Sequence, residues 1–325
     1  MDECHHRARP WPADSDLSLW IAPPGSHLHC PVSGLLGESH YHPTLHTAPP
    51  ASGQKCRRGG EGKLPKTTTA QQTAIESELS IARNIQLSLL PKPLTSDFSP
   101  LTSKIDLYAS MTPARAVGGD LYDYYVEEGK LVFCIGDVSG KGVPAALFMS
   151  MTRSLFRAYS IGEDVPDRIV SKMNKDLTEN NENCMFVTFF VGILDLATGL
   201  LRYCNAGHEA PIVINKEAYE LPVDRSLPVG AYADVSYLTQ TAVIEPQSTV
   251  LFYTDGLNEA VKEDVKDGSK ELFSVQRILD VVNVAIQEGQ LSPKSLIENM
   301  TQAVHDFVGD TEQSDDLTML CIKFI

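Results

Sequence analysis

The sequence predicts an α+β domain in which two β-sheets stack face to face and helices cover their outer faces. Three observations predict it. Strand-like runs form long antiparallel sets. Helical runs interrupt them in two separate pairs, 143–158 with 166–179 and 274–288 with 292–307. A chain of 325 residues with 42% hydrophobic content is also long enough to bury one large core or two modest ones.

Residues 1–70 read as foreign to the rest. They hold nine of the 20 prolines and seven of the nine histidines without sustained periodicity. Such a composition forms no packed core, so the segment is expected to be a disordered His/Pro-rich tail, or an upstream region read from an early start codon. His27-Leu28-His29-Cys30 and the histidines at 40, 42 and 46 have metal-ligating chemistry, but no function is assigned to them.

Residues 71–91 read as a linker helix. Ile75, Leu79, Ala82, Ile85 and Leu89 are spaced 4, 3, 3 and 4 apart and make one apolar stripe, which Pro91 and Pro93 end. That stripe either packs on its own domain or forms the seam of a homodimer through residues 71–91.

The core domain is expected over 103–325. Its strand-like runs are 104–109, 120–125, 130–136, 186–195, 200–205, 211–215, 235–243, 249–254 and 317–325, with Thr198-Gly199 as a hairpin turn. The run Leu131 to Ile135 reads as a buried strand feeding Gly136-Asp137-Val138-Ser139-Gly140-Lys141-Gly142. Val143 to Met149 then reads as a helix with Pro144 in its first turn.

Charge narrows the function classes. The net charge of −15 is uneven: residues 1–70 carry +1 and the remaining 255 carry −16. An acidic body disfavours nucleic acid and anionic membrane surfaces and suits a protein substrate. No apolar run approaches 18 residues, and the N-terminus lacks a basic region followed by an apolar one, so neither a membrane span nor a signal peptide is read. The seven cysteines include no C-x-x-C pair. Cys134, Cys184, Cys204 and Cys321 lie in or beside apolar runs, which points to a reducing compartment and a cytoplasmic location.

The chemistry lies in carboxylates at strand ends. Asp120 follows Val117-Gly118-Gly119, Asp137 follows the run to Ile135, Asp255 follows Val250 to Thr254, and Asp315 and Asp316 precede the closing strand. One Asp on a glycine bend is ordinary turn chemistry. Several gathered at low dielectric repel each other unless cations hold them, and an oxygen-only set suits Mg²⁺ or Mn²⁺ better than Zn²⁺. A nucleotide-binding loop does not fit. Gly136 and Gly140 enclose three residues instead of four, and Gly142 stands where Ser or Thr is needed. Asn205-Ala206-Gly207-His208-Glu209 begins like a zincin motif, but Ile212 replaces the second His. His208 therefore reads either as a structural His in a tight turn or as a proton donor near the site.

Taken in order, these motifs resemble one family. Pro113-Ala114, Val117-Gly118-Gly119-Asp120-x-Tyr122-Asp123, Gly136 to Gly142, Asn205-Ala206-Gly207-His208, Tyr253-Thr254-Asp255-Gly256 and Asp315-Asp316-x-Thr318 are similar to the SpoIIE/RsbU-like branch of the PPM (protein phosphatase 2C-like) serine/threonine phosphatases. The helix ending Ala82-Arg83-x-Ile85-Gln86-x-x-Leu89-Leu90-Pro91 resembles the linker of that branch, so the likeness covers roughly 74–325. It implies a four-layer α-β-β-α sandwich and a site of two divalent cations, Mn²⁺ or Mg²⁺. Asp137 would bridge them, with the Val138 carbonyl joining through water. Asp120 would serve one cation, and Asp255 and Asp315 the other, with Asp316 where many relatives carry Asn. Asp137-Val138-Ser139 departs from the Asp-Gly-His of larger relatives, so leaving-group protonation falls to water or to His208.

The implied partner is a phosphorylated regulatory protein, an anti-sigma-factor antagonist, with a separate upstream sensor or activator. Two other readings fit the motifs less well. A degenerate scaffold that binds a phosphoprotein without hydrolysing it is disfavoured by retention of the Asp positions. A two-aspartate nucleotidyl cyclase lacks a purine-reading pattern.

Overall fold

The computed structural model describes residues 69–91, 103–263 and 268–325. The expectations for the His/Pro-rich segment fall outside the described residues, apart from its last two positions. In chain order the elements are α1 (Thr69–Leu89), β1 (Ile105–Thr112), β2 (Leu121–Glu127), β3 (Lys130–Val138), α2 (Val143–Ser160), α3 (Pro166–Thr178), β4 (Val187–Asp195) and β5 (Leu200–Ala206). There follow β6 (Ile212–Ile214), β7 (Ala218–Glu220), β8 (Gln240–Val243), β9 (Thr249–Tyr253), α4 (Asp255–Asn258), β10 (Val261–Glu263), β11 (Lys270–Leu272), α5 (Ser274–Glu288), α6 (Pro293–Val308) and β12 (Leu317–Phe324).

Two five-stranded antiparallel sheets result, β1-β12-β9-β6-β7 and β2-β3-β4-β5-β8, with β10-β11 as a separate hairpin. Side-chain alternation stacks them. In β3, Leu131, Phe133 and Ile135 enter the layer between the sheets, while Val132 and Cys134 face the helices. In β12, Leu320, Ile322 and Phe324 meet that same layer, and Leu317, Met319 and Cys321 face α5 and α6. Phe252 of β9 closes the centre, with its ring 4.9 Å from Phe133 and 5.2 Å from Phe190. The layers run α2/α3, sheet, sheet, α5/α6, which is the expected α-β-β-α sandwich.

Local signals explain the elements. The β4–β5 hairpin turns at Gly199, whose φ of 73° is open to glycine. Ser292 caps α6 by accepting the Ser295 N–H, with Pro293 in the first turn. The expected strand 235–243 shortens to Gln240–Val243. Its first half is recruited elsewhere: Thr239 N–H donates to Asp167 and Thr239 Oγ1 accepts from the Asp167 N–H. β7, β10 and β11, three residues each, are too short to carry a periodic signal. Cys134, Cys204 and Cys321 are buried as expected, whereas Cys184 is exposed on a turn at φ 51°.

A buried ion pair fastens β2 to α2. Asp123 has no solvent exposure and receives Arg157 through both oxygens, at 2.6 and 2.5 Å, and Arg153 at 3.1 Å. Arg157 also lies 4.5 Å over the Tyr125 ring. Asp123→Asn keeps the shape and removes the charge, leaving two guanidinium groups facing a neutral amide. It is expected to cost about 2 kcal/mol in urea unfolding. A loss below about 0.5 kcal/mol would show the pair to be energetically idle.

The linker stripe is only partly covered. Leu79, Ala82 and Leu89 are half-buried, while Ile75 and Ile85 stay exposed. Among its described side chains, the one the helix buries is Gln86.

Candidate active site

The acidic residues converge from both sheets. Asp120 immediately precedes β2 and Asp137 lies one residue before the end of β3, both in one sheet. Asp255 opens α4, separated from the end of β9 by Thr254 alone, and Asp315 and Asp316 precede β12, in the other. The sheets are joined here by side chains. Thr254 Oγ1 donates to Asp120 Oδ2 at 2.8 Å, and Thr318 N–H donates to Thr254 Oγ1 at 3.3 Å.

Asp316 serves as an anchor for the loop before Asp120. Its Oδ1 accepts the Ala114 N–H at 2.8 Å, and its Oδ2 accepts the N–H groups of Gly119 at 2.7 Å and Asp120 at 3.4 Å. This closeness explains two glycines. A Cβ at Gly118 would fall 2.1 Å from Asp316 Oδ2, and one at Gly256 would fall 1.9 Å from its carbonyl oxygen. Asp315 is left at the surface, where Lys141 Nζ meets its Oδ2 at 2.8 Å and also donates to the Ser314 carbonyl at 2.5 Å.

Gln86 of α1 completes the support. Its amide donates to the Gly118 carbonyl at 2.7 Å and accepts the Gly118 N–H at 3.1 Å. The linker helix is thereby bonded to the backbone two residues before Asp120. Sequence periodicity passed over Gln86, although a polar residue on the covered side of a stripe is a signal of this kind.

The electrostatics are those of a crowded anionic site. Burial, with the neighbouring charges of Asp137 and Asp316, raises the Asp120 carboxyl well above its usual range. Burial, then Asp255 and Asp315, pushes Asp137 up to about 7. Burial, then Asp315 and two glutamates, pushes Asp255 up to about 6. Among the described residues, no three His, Cys, Asp or Glu side chains are gathered closely enough to close on an ion as they stand. The cluster fits a divalent cation in donor chemistry and in charge.

His208 does not join the cluster. It is buried in the turn that Asn205 ties at both ends, donating to the His208 carbonyl at 3.0 Å and accepting its N–H at 2.8 Å. Burial lowers its imidazole to about 3, so the ring is neutral. Its Nδ1 lies 3.0 Å from Oγ1 of Thr188, the residue that β4 places opposite Asp137.

A family model described as Stage II sporulation protein E (SpoIIE) matches residues 127–325. Protein IcfG of Synechocystis sp. is 29% identical over 275 residues, covering 75% of this chain and 41% of that protein. Phosphoserine phosphatase RsbU of Bacillus subtilis is 24% identical over 261 residues, covering 79% of this chain and 73% of that protein. The chain thus spans less than half the length of the first relative and about three quarters of the second. The SiaA-PP2C domain of Pseudomonas aeruginosa superposes with a TM-score of 0.68 at 20% identity, over 79% of this chain and 100% of that one, which shows the shared fold. By its family match and by its α-β-β-α architecture, the chain belongs to the Stage II sporulation protein E family, the SpoIIE/RsbU-like branch of the PPM-type protein phosphatases.

Proposed function

We propose that this chain is a serine/threonine phosphatase that hydrolyses phosphoserine or phosphothreonine on a regulatory protein, an anti-sigma-factor antagonist. The observation that carries the proposal is the set of carboxylates that both sheets bring to one end while raising each other's proton affinity. Similarity to the phosphoserine phosphatase RsbU supports the substrate class.

In this reading two divalent cations, Mn²⁺ or Mg²⁺, would be held by Asp137, shared between them, with the Val138 carbonyl assisting through water; Asp120 would serve one, and Asp255 and Asp315 the other. Bound there, two cations would acidify a water molecule and neutralise charge on the transferred phosphoryl group. Asp316, with its oxygens held by loop N–H groups, positions Asp120 and is not a direct ligand. A neutral, buried His208 supports the Asp137 strand, and the leaving group takes its proton from solvent.

A cytoplasmic location belongs to the same proposal; no helix among the described residues is long and apolar enough to cross a membrane. So does a homodimer through residues 71–91, supported by Ile75, Ile81 and Ile85, each more than half exposed on α1. An upstream sensor or activator would act through that helix.

Turnover in Mn²⁺ or Mg²⁺ should favour a phosphoserine protein over a phosphotyrosine peptide and should vanish in EDTA. Undiminished turnover in chelator would rule out the two-cation site. A degenerate scaffold would bind the phosphoprotein without releasing phosphate.

A further inference from the structure

A cavity of about 230 Å³ lies between the C-terminal half of α6, the start of β10 and the loop carrying Asp315. Its wall includes Gly256, next to Asp255, and Ser314, next to Asp315, so it adjoins the carboxylate cluster. Ala260, Val304, Val308 and Leu317 supply an apolar lining. Lys141 stiffens the shared wall by bonding the Ser314 carbonyl and Asp315. The volume exceeds the roughly 150 Å³ of an apolar cavity that takes up benzene.

We infer that this cavity is a specificity subsite for a large apolar side chain, one that flanks the phosphorylated residue of the substrate. The inference rests on the phosphoprotein reading above. A phosphoserine bound where the carboxylates would hold cations has neighbouring residues that follow at about 3.3–3.6 Å per position in an extended segment, within reach of an adjoining cavity. An apolar wall beside an acidic site gives a leucine or phenylalanine there a burial that alanine lacks. None of the lining residues is used by the proposed hydrolysis, so the cavity selects substrate without touching the chemistry.

The test uses the full chain in Mn²⁺ and phosphoserine peptides in which one leucine is scanned through the flanking positions of an alanine background. At one position leucine should raise kcat/KM over alanine by about tenfold or more. Val304→Phe and Val308→Phe fill the cavity and should each erase that preference while leaving p-nitrophenyl phosphate turnover unchanged. Val308 is half-buried at the helix end, so its variant keeps the test open should Val304→Phe fail to fold. Equal kcat/KM at every position, or a leucine preference that survives both variants, overturns the subsite. If peptides are not turned over, their affinities by fluorescence anisotropy decide the matter, and affinity indifferent to leucine overturns it. Inert p-nitrophenyl phosphate counts instead against the phosphatase reading.

Discussion

Asp137→Asn is expected to lower phosphoester turnover by about 10³-fold or more while making the metal-free chain more stable. The loss follows from removing a charge that both cations would share, in a site whose catalysis is electrostatic. The gain follows from the same crowding. The Asp137 carboxyl rises from 3.8 to about 7 on folding, so the folded chain binds its proton more tightly than the unfolded chain. Below the unfolded value both states are protonated and the site costs nothing. As pH rises through the window to about 7 the folded state is progressively penalised, and the full penalty stands above it. The melting temperature of the wild-type chain in EDTA should therefore fall between pH 4 and pH 8, alongside the other titrations of the protein. Asp137→Asn should fall less across that window and melt higher at pH 8, as expected when a strained functional group is neutralised. Wild-type turnover in this variant refutes the bridging role. An unchanged pH dependence of melting refutes the crowding.

Gln86→Ala is expected to lower turnover by about 10²-fold and to weaken Mn²⁺ binding. Gln86 is 3% exposed and satisfies both backbone groups of Gly118. Its truncation leaves a buried N–H and a buried C=O unpaired, about 1–3 kcal/mol each, which the loop relieves by shifting. Two residues later that shift reaches Asp120, and mutations of residues that orient ligands typically cost about 10–100-fold. Gln86→Glu keeps the acceptor but sets a buried carboxylate oxygen against the Gly118 carbonyl, so it should lose at least as much as Ala. Calorimetric Mn²⁺ titration separates positioning from packing. A variant with a lower melting temperature but unchanged Mn²⁺ affinity and kcat would make the linker bond merely structural.

That coupling was not legible in the sequence, and the reason is physical. Apolar periodicity located the helix and its five-residue stripe, because spacing along a helix is set by its own geometry. Which side meets the domain depends on the surface it docks on. Here the docking surface offers a backbone N–H and C=O at Gly118, so a polar amide is buried and Ile75 and Ile85 are left outside.

Sequence alone determined the two-sheet sandwich, because antiparallel strand runs interrupted by two pairs of helical runs leave the helices the outer faces to cover. It also determined which aspartates stand at strand ends. Tertiary structure decided what each of them contacts. Asp315 and Asp316 are adjacent and chemically identical, and only the packing of the 113–120 loop against β12 turns one toward backbone N–H groups and leaves the other beside Lys141. It likewise decided that His208 is neutral, because burial is a property of neighbours that are remote in the chain: the same imidazole in an open turn would titrate in the ordinary histidine range.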